Sequence, residues 1–445
     1  MKNFFIKRMI KNLTDLQIIF LSFLFVVLLG GGILSLPISS KAGEYTSFVD
    51  SLFTAISATC VTGLAVLDTS TYWSFFGQII ILILIQVGGL GFMTLVASIF
   101  LLLNQKVSMK SRTALQKTYS VSHLGFKKSL VLGILFISLI AEFIGAVLLS
   151  FIFIPEYGWV KGGWFSIFHS VSAYCNAGFD LFGNSLISYD HSPYIMLVIS
   201  LLIVCGSLGF IVIMDLIGYK KRHKLSLHSK LALIVTGILI LVGILLFFIT
   251  RFSFYKSDFL VYFVQSLFFA ITPRTAGFAI QDYSSLSQAS LFLTIILMTI
   301  GGTSGSTAGG IKTTTIGVFI LNIRAVIRRE KHTRFGNRTI PQNLVKQSYE
   351  SIFLYFSLVI ISTFILLVLE PNLKLDQVLF EVVSALSTVG LSMNVTPELS
   401  SASKGLIGLL MFIGRVGIFT IIYSLNTKNR EEALYKYPEE NVMIG

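Results

Sequence analysis

The chain has 445 residues, 54% of them apolar and only 12% charged, with 39 phenylalanines. A water-soluble domain carries about 25% charged residues, so this composition excludes a soluble protein and predicts an all-α integral membrane protein. The net charge of +13 is read as membrane topology, not nucleic-acid affinity, because of where the basic residues fall.

Eight apolar spans are expected in chain order, at 16–36, 75–103, 129–154, 194–217, 231–249, 291–324, 349–369 and 404–425. Most reach the ~20 residues that cross ~30 Å of hydrocarbon. Lys2, Lys7, Arg8 and Lys11 precede the first span, and Lys106, Lys110, Arg112, Lys117, Lys127 and Lys128 fill the loop after the second. Lys220, Lys221, Arg222, Lys224 and Lys230 follow the fourth, and Arg324, Arg328, Arg329, Lys331, Arg334, Arg338 and Lys346 follow the sixth. Glu44, Asp50, Asp68, Glu156, Asp180, Asp190, Asp258, Asp282, Asp376 and Glu398 lie in the alternate connections. The positive-inside rule makes the basic loops and both termini cytoplasmic. Cys60, Cys175 and Cys205 are too few for a disulfide framework, and the first span lacks a signal-peptide cleavage pattern.

Between the two members of each pair lies a short apolar segment, too short to cross, that ends in glycine: SLFTAISATCVTGL (51–64), SIFHSVSAYCNAGF (166–179), QSLFFAITPRTAGF (265–278) and VLFEVVSALSTVGL (378–391). Aligned on Gly63, Gly178, Gly277 and Gly390, they recur every 99 to 115 residues, a whole structural unit rather than a solenoid turn. A rival reading makes them interfacial or buried helices of an ordinary transporter. Repetition argues against it, since the first two share Ser, Phe, Ser, Ala, Cys and Gly at matched positions. The expected organisation is four helix–re-entrant helix–helix repeats around a pseudo-fourfold axis: 1–104, 105–222, 223–340 and 341–425, then a cytoplasmic tail at 426–445.

After each short helix the chain must turn back without helical hydrogen bonds, which is tolerated at membrane depth only where the backbone is buried in protein or lines water. Free carbonyls can replace a potassium ion's hydration shell, and glycine allows successive carbonyls to face one axis. Val61 and Thr62, Asn176 and Ala177, Thr275 and Ala276, Thr388 and Val389 precede the glycines. No ring of charged side chains occupies those positions, which favours selection by carbonyls.

The strings Thr62-Gly63-Leu64, Asn176-Ala177-Gly178-Phe179, Thr272-Pro273-Arg274-Thr275-Ala276-Gly277-Phe278 and Thr388-Val389-Gly390-Leu391 resemble the four filter loops of the Trk/Ktr/HKT superfamily of potassium transporters. The likeness covers nearly the whole chain, and eight crossings resemble its Ktr branch. The resemblance implies a K+ filter built from the backbone of Thr59, Cys60, Val61, Thr62 and Gly63, of Cys175, Asn176, Ala177 and Gly178, of Arg274, Thr275, Ala276 and Gly277, and of Ser387, Thr388, Val389 and Gly390. In that family a serine at the first filter glycine accompanies sodium permeation, so Gly63 points to potassium. The resemblance further implies a homodimer seated on a cytoplasmic ring of RCK-type subunits that bind ATP or ADP. Residues 442–445 are then expected near the dimer interface, and Na+ is a candidate activator.

The second long helix of three repeats carries Gly88-Gly89-Leu90-Gly91, Gly206-Ser207-Leu208-Gly209 and Gly414-Arg415-Val416-Gly417, read as close helix packing through small residues. In the third repeat the helix is expected to break at 301–312, where Gly301, Gly302, Gly305, Gly309 and Gly310 are too many for a stable helix. The run approaches phosphate-loop spacing, but Ile311 separates Gly310 from Lys312 and no strand precedes it, so no nucleotide is expected on this chain. An unwound plug fits instead, and the resemblance makes it a gating loop. Arg415, costly in mid-bilayer, is expected to face the cavity. The resemblance makes it a gating residue, against a structural helix clamp. Lys312 is a second gating candidate, against simple snorkelling. Glu142 reads as a buried structural carboxylate or a proton relay, and His169 as a lone core histidine.

No nucleophile–base pair or metal cluster points to an enzyme. The expected function is K+ uptake through a gated channel-like pore driven by membrane potential, at ~2.3 kcal/mol per charge per 100 mV. One rival is a Na+- or H+-coupled K+ symporter, for which Glu142 and Asp215 are the acids within reach. The other is a non-conducting sensor, for which four intact glycines would serve no purpose.

Overall fold

The computed structural model describes residues 15–91, 128–250, 258–418 and 421. The expected basic segments at 2–11 and 106–127, the ends of the spans 75–103 and 404–425, and the tail at 426–445 lie outside these residues.

The protein is helical. Long apolar helices α1 (Asp15–Leu34), α4 (Lys128–Tyr157), α8 (Leu227–Thr250) and α12 (Gln342–Leu369) are each long and apolar enough to cross a bilayer. Each precedes a short helix: α2 (Phe48–Thr59), α5 (Trp159–Cys175), α9 (Phe259–Ile271) or α13 (Leu375–Leu386). The chain then runs through a glycine turn into a further apolar helix: α3 (Phe75–Leu90), α6 (Pro193–Ser207), α10 (Gln288–Thr299) or α14 (Ser401–Val416). Serine caps three of these last starts. Ser74 accepts from Gly77 N (3.2 Å), Ser287 from Ser290 N (3.3 Å) and Ser400 from Ser403 N (3.3 Å), each satisfying an orphan helix donor.

The second helices differ from the single spans expected at 75–103, 194–217 and 404–425. α3 is capped by Gly91 (φ +78°) and α14 by Gly417 (φ +94°), and Gly209 (φ +81°) separates α6 from the next helix. Beyond Gly209 the chain starts α7 (Phe210–Arg222), bent 95° from α6. The first glycine of each G-x-x-G run does pack closely, as expected: a Cβ at Gly88, Gly206 or Gly414 would run into the carbonyl of Thr59, Tyr174 or Leu386. The fourth residue of the run breaks the helix instead. In the third unit the expected break is present, and α11 (Thr313–Ile327) resumes after it. A small hairpin follows, β1 (Arg334–Phe335) paired antiparallel with β2 (Arg338–Thr339), in register Arg334↔Thr339.

Packing closes a circle. α3 packs on α5, α6 on α9, α10 on α13, and α14 returns to α2. The short helices are thereby surrounded by protein, while Phe143, Leu241, Phe353 and Phe364 on the long helices stay exposed. An apolar exterior around a buried polar centre suits a chain whose solvent is lipid.

Candidate functional site

At the centre of the circle, the four short helices end and four glycine strands converge. Each helix stops three to six residues before its glycine, at Thr59, Cys175, Ile271 and Leu386. In the third strand Thr272 keeps helical backbone angles (φ −61°, ψ −38°) after the helix ends, and Ala276 N still bonds Thr272 O (3.0 Å). Two residues before each glycine the backbone is left-handed: Val61 (φ +57°), Asn176 (+60°), Thr275 (+69°) and Thr388 (+52°). Three of these are β-branched, for which this conformation is a strained outlier, at about 1–3 kcal/mol each. The glycines are also at positive φ, +98°, +68°, +78° and +91°, with one ordinary residue between. Four copies of the same strain at one centre mark a site whose backbone shape matters more than its local stability.

The strands form a closed ring. A Cβ at Gly63 would lie 2.5 Å from the Ala177 carbonyl oxygen, one at Gly178 2.9 Å from Ala276 O, and one at Gly277 2.5 Å from Val389 O. A Cβ at Gly390 would meet Thr62 O. Each glycine therefore abuts the carbonyl of the residue preceding the next glycine around the circle. Side-chain and backbone bonds hold the strands. Thr62 N bonds Ser57 O (2.8 Å) and Gly63 N bonds Ser57 Oγ (3.1 Å); Val389 and Gly390 repeat this on Ser384 (2.8 and 3.1 Å). Ser172 Oγ donates to Phe179 O (2.7 Å), and Thr272 Oγ1 to Phe278 O (2.5 Å).

All seventeen residues expected in the strands are brought together, with differing side-chain roles. Cys175 Sγ turns outward to Gln86 Oε1 (3.7 Å) and Glu142 Oε1 (3.8 Å), and Ser387 Oγ to Tyr355 OH (2.6 Å). Arg274 is buried, and its Nη2 donates to Gly301 O at 3.4 Å.

The loop 301–312 lies beneath the ring, its two ends joined by a parallel bridge between Ile300 and Ile311. Gly301 N bonds Ile311 O (3.0 Å), and Ile311 N bonds Thr299 O (3.1 Å). Thr303 N donates to Ser207 O (3.0 Å) and Phe210 N to Gly305 O (3.2 Å), so the loop seals the break between α6 and α7. Arg415 donates to Thr307 O on the loop and to the carbonyls of Gly88 and Gly89 (3.2 Å to the latter) at the end of α3. Lys312 Nζ bonds Ala308 O at 2.5 Å. The expected gating residues therefore meet at one place, with Arg415 bridging first unit, fourth unit and loop.

Glu142 accepts from Gln86 Nε2 (3.0 and 3.1 Å), and its backbone carbonyl from Ser170 Oγ (2.6 Å). Asp215 accepts from Ser226 N (3.0 Å) and Ser229 Oγ (2.7 Å) at the start of α8. Two further residues support the strands: Glu381, not singled out from the sequence, and His169, read there as a lone core histidine. Glu381, fully buried, accepts from Ser392 Oγ and Thr396 Oγ1 (3.1 and 3.2 Å). His169 bonds Phe165 O through Nδ1 (2.7 Å) and accepts from Leu181 N at Nε2 (3.2 Å). Both sit nine residues before a glycine and tie down the chain after it; that shared offset was the available signal.

A closed ring of glycine–carbonyl contacts inside a bundle of long apolar helices fits the class of membrane transport proteins. A family model described as a cation transport protein, TrkH, matches residues 21–431, and the chain belongs to this family. It is 44% identical to the Potassium/sodium uptake protein NtpJ of Enterococcus hirae, over 99% of both chains. It is 38% identical to the Ktr system potassium uptake protein B of Bacillus subtilis, over 97% of both. Among solved structures, the potassium transporter TrkH of Vibrio parahaemolyticus shares the fold, with a TM-score of 0.71 at 20% identity over 91% of this chain and 84% of that one.

Proposed function

We propose that this chain is the membrane subunit of a Ktr-type system and takes up K+ through a channel-like pore driven by membrane potential. The observation that carries this reading is the closed ring of four carbonyl–glycine contacts, from Gly63 round to Gly390. Pre-formed carbonyls replace a hydration shell without the reorganisation that flexible side chains require. In this reading the eight crossings form four repeats, at 1–104, 105–222, 223–340 and 341–425, and 426–445 is a cytoplasmic tail. The strands 59–63, 175–178, 274–277 and 387–390 form the filter. The loop 301–312, with Lys312 and Arg415, is the gate. Cations clamped on loop carbonyls both hold the plug and raise the barrier to a passing K+. The chain works as a homodimer on a nucleotide-binding cytoplasmic ring; the exposed basic residues around β1 and β2 and a relative named as part of a Ktr system support such a partner.

A second reading, K+ uptake coupled to Na+, is favoured by the name of the Enterococcus hirae relative, a potassium/sodium uptake protein. One experiment addresses both: K+ and Na+ flux into proteoliposomes bearing the wild type or Gly63→Ser. At Gly63 a side chain meets both a positive φ and the Ala177 carbonyl, so the serine variant is expected to lose at least about tenfold in K+/Na+ ratio, about 1.4 kcal/mol. Equal ratios in the two proteins would remove the filter assignment. Wild-type K+ flux that requires Na+ on the same side would replace the uniport reading with the coupled one.

A further inference from the structure

The loop beneath the ring touches the glycine strands directly. Gly301 lies against Thr275, whose Cγ2 would be 3.3 Å from a Cβ at Gly301, and Gly309 lies against the Ser387 carbonyl, 2.6 Å from such an atom. A side-chain contact from the third strand comes from Arg274. It is 2% exposed, its Nε has no partner, and its Nη2 bonds the carbonyl of Gly301, the first residue of the loop. Among the described residues no carboxylate pairs with it. At the same offset the other strands carry Cys60, Cys175 and Ser387, neutral and short. Burying an unpaired guanidinium is expensive, and a cysteine or serine would fit the strand without that cost. What arginine adds is reach and a charge-assisted bond to a carbonyl.

We infer that Arg274 is a positioning residue that pins the base of the loop to the third glycine strand, so that loop position and ring geometry change together. Gly301 N also bonds Ile311 O in the parallel bridge that closes the loop, so a pin at Gly301 fixes both ends. Arg415 and Lys312 hold the more distal Thr307 and Ala308. Their release frees the tip while Arg274 keeps the base in register with the filter. This inference rests on the K+-uptake reading.

The test compares wild type, Arg274→Gln and Arg274→Lys as full chains in a host lacking its own K+ uptake. It records KM, Vmax and K+/Na+ ratio, and adds thermal unfolding of each purified protein with and without K+. Arg274→Gln is expected to raise KM for K+ and lower the ratio about tenfold, the scale of one charge-assisted hydrogen bond. Arg274→Lys keeps the charge and a donor, and is expected to recover most of the ratio. An unchanged ratio and KM in Arg274→Gln overturns the pin, as does a lysine variant no better than the glutamine. If Arg274→Gln does not fold, the lysine variant decides: a wild-type ratio supports the pin and a lost one overturns it. Failure of the underlying reading looks different, because the wild type itself would then neither take up K+ nor be stabilised by it.

Discussion

Glu381 is fully buried in a helix that also buries Val378, Phe380, Val382, Val383 and Leu386. A carboxyl group in such a place must be hydrogen-bonded or neutral, and here Ser392 and Thr396 surround it. These lie two and six residues after Gly390, so Glu381 fixes the exit from the fourth strand as His169 fixes Leu181 after the second. Glu381→Leu would remove the acceptor both hydroxyls share. Thr396 Oγ1 would keep its bond to Ser392 Oγ (3.1 Å), but Ser392 Oγ would be left without an acceptor for its proton, at about 1–3 kcal/mol for an unmet buried polar group. The expected result is a lower unfolding temperature in detergent and a weaker K+/Na+ preference, with Glu381→Gln, which keeps a carbonyl oxygen, closer to wild type. A leucine variant with unchanged ratio would reduce Glu381 to packing. The residues of the ring were legible in the sequence because their glycines repeat. Their supports were not, because a single polar residue in an apolar segment looks the same whether it braces a turn or simply fills the core.

Helices add what single residues cannot: the breaks that make room beneath the ring. The break at 301–312 was visible from composition alone, since five glycines in ten residues cannot propagate a helix. The breaks at Gly91, Gly209 and Gly417 were hidden, because G-x-x-G is also the pattern of close packing between membrane helices. The two roles are split within each run, the first glycine packing and the last turning. At Gly209 both φ and space demand glycine: a Cβ would lie 2.5 Å from Thr303 Oγ1 and 3.1 Å from Ser304 O. Gly209→Ala is therefore expected to cost about 1 kcal/mol or more and to push the loop from its seat, raising resting K+ flux severalfold. Gly237 of α8 has nothing within 4 Å of a Cβ, so Gly237→Ala should leave flux unchanged. Equal flux in the two variants would separate the α6–α7 break from gating.

For the whole molecule, the circle must close between its first and last parts, which are over three hundred residues apart in sequence. Loop-closure entropy grows only slowly with such a separation, so a few good contacts suffice to fix the register. α14 packs on α2, Arg415 reaches the carbonyls ending α3, and Gly390 abuts Thr62. One ion pair joins them as well: Lys404 Nζ lies 2.8 Å from Asp50 Oδ1, with side chains 14% and 22% exposed. This shielding separates it from Arg334–Glu330 and Lys346–Glu350, exposed pairs along single stretches of chain. Surface pairs contribute about 0–1 kcal/mol, and a partly buried pair joining the ends of the circle belongs at the upper end. A double-mutant cycle of Asp50→Asn and Lys404→Met, read as unfolding free energy in detergent, is expected to give a coupling of about 1 kcal/mol. Either single variant should also broaden ion selectivity, because loosening the seam moves Thr62 O relative to Gly390. If stability falls but selectivity holds, the ring is set locally by the serine and threonine bonds of each strand, and the circle only carries it.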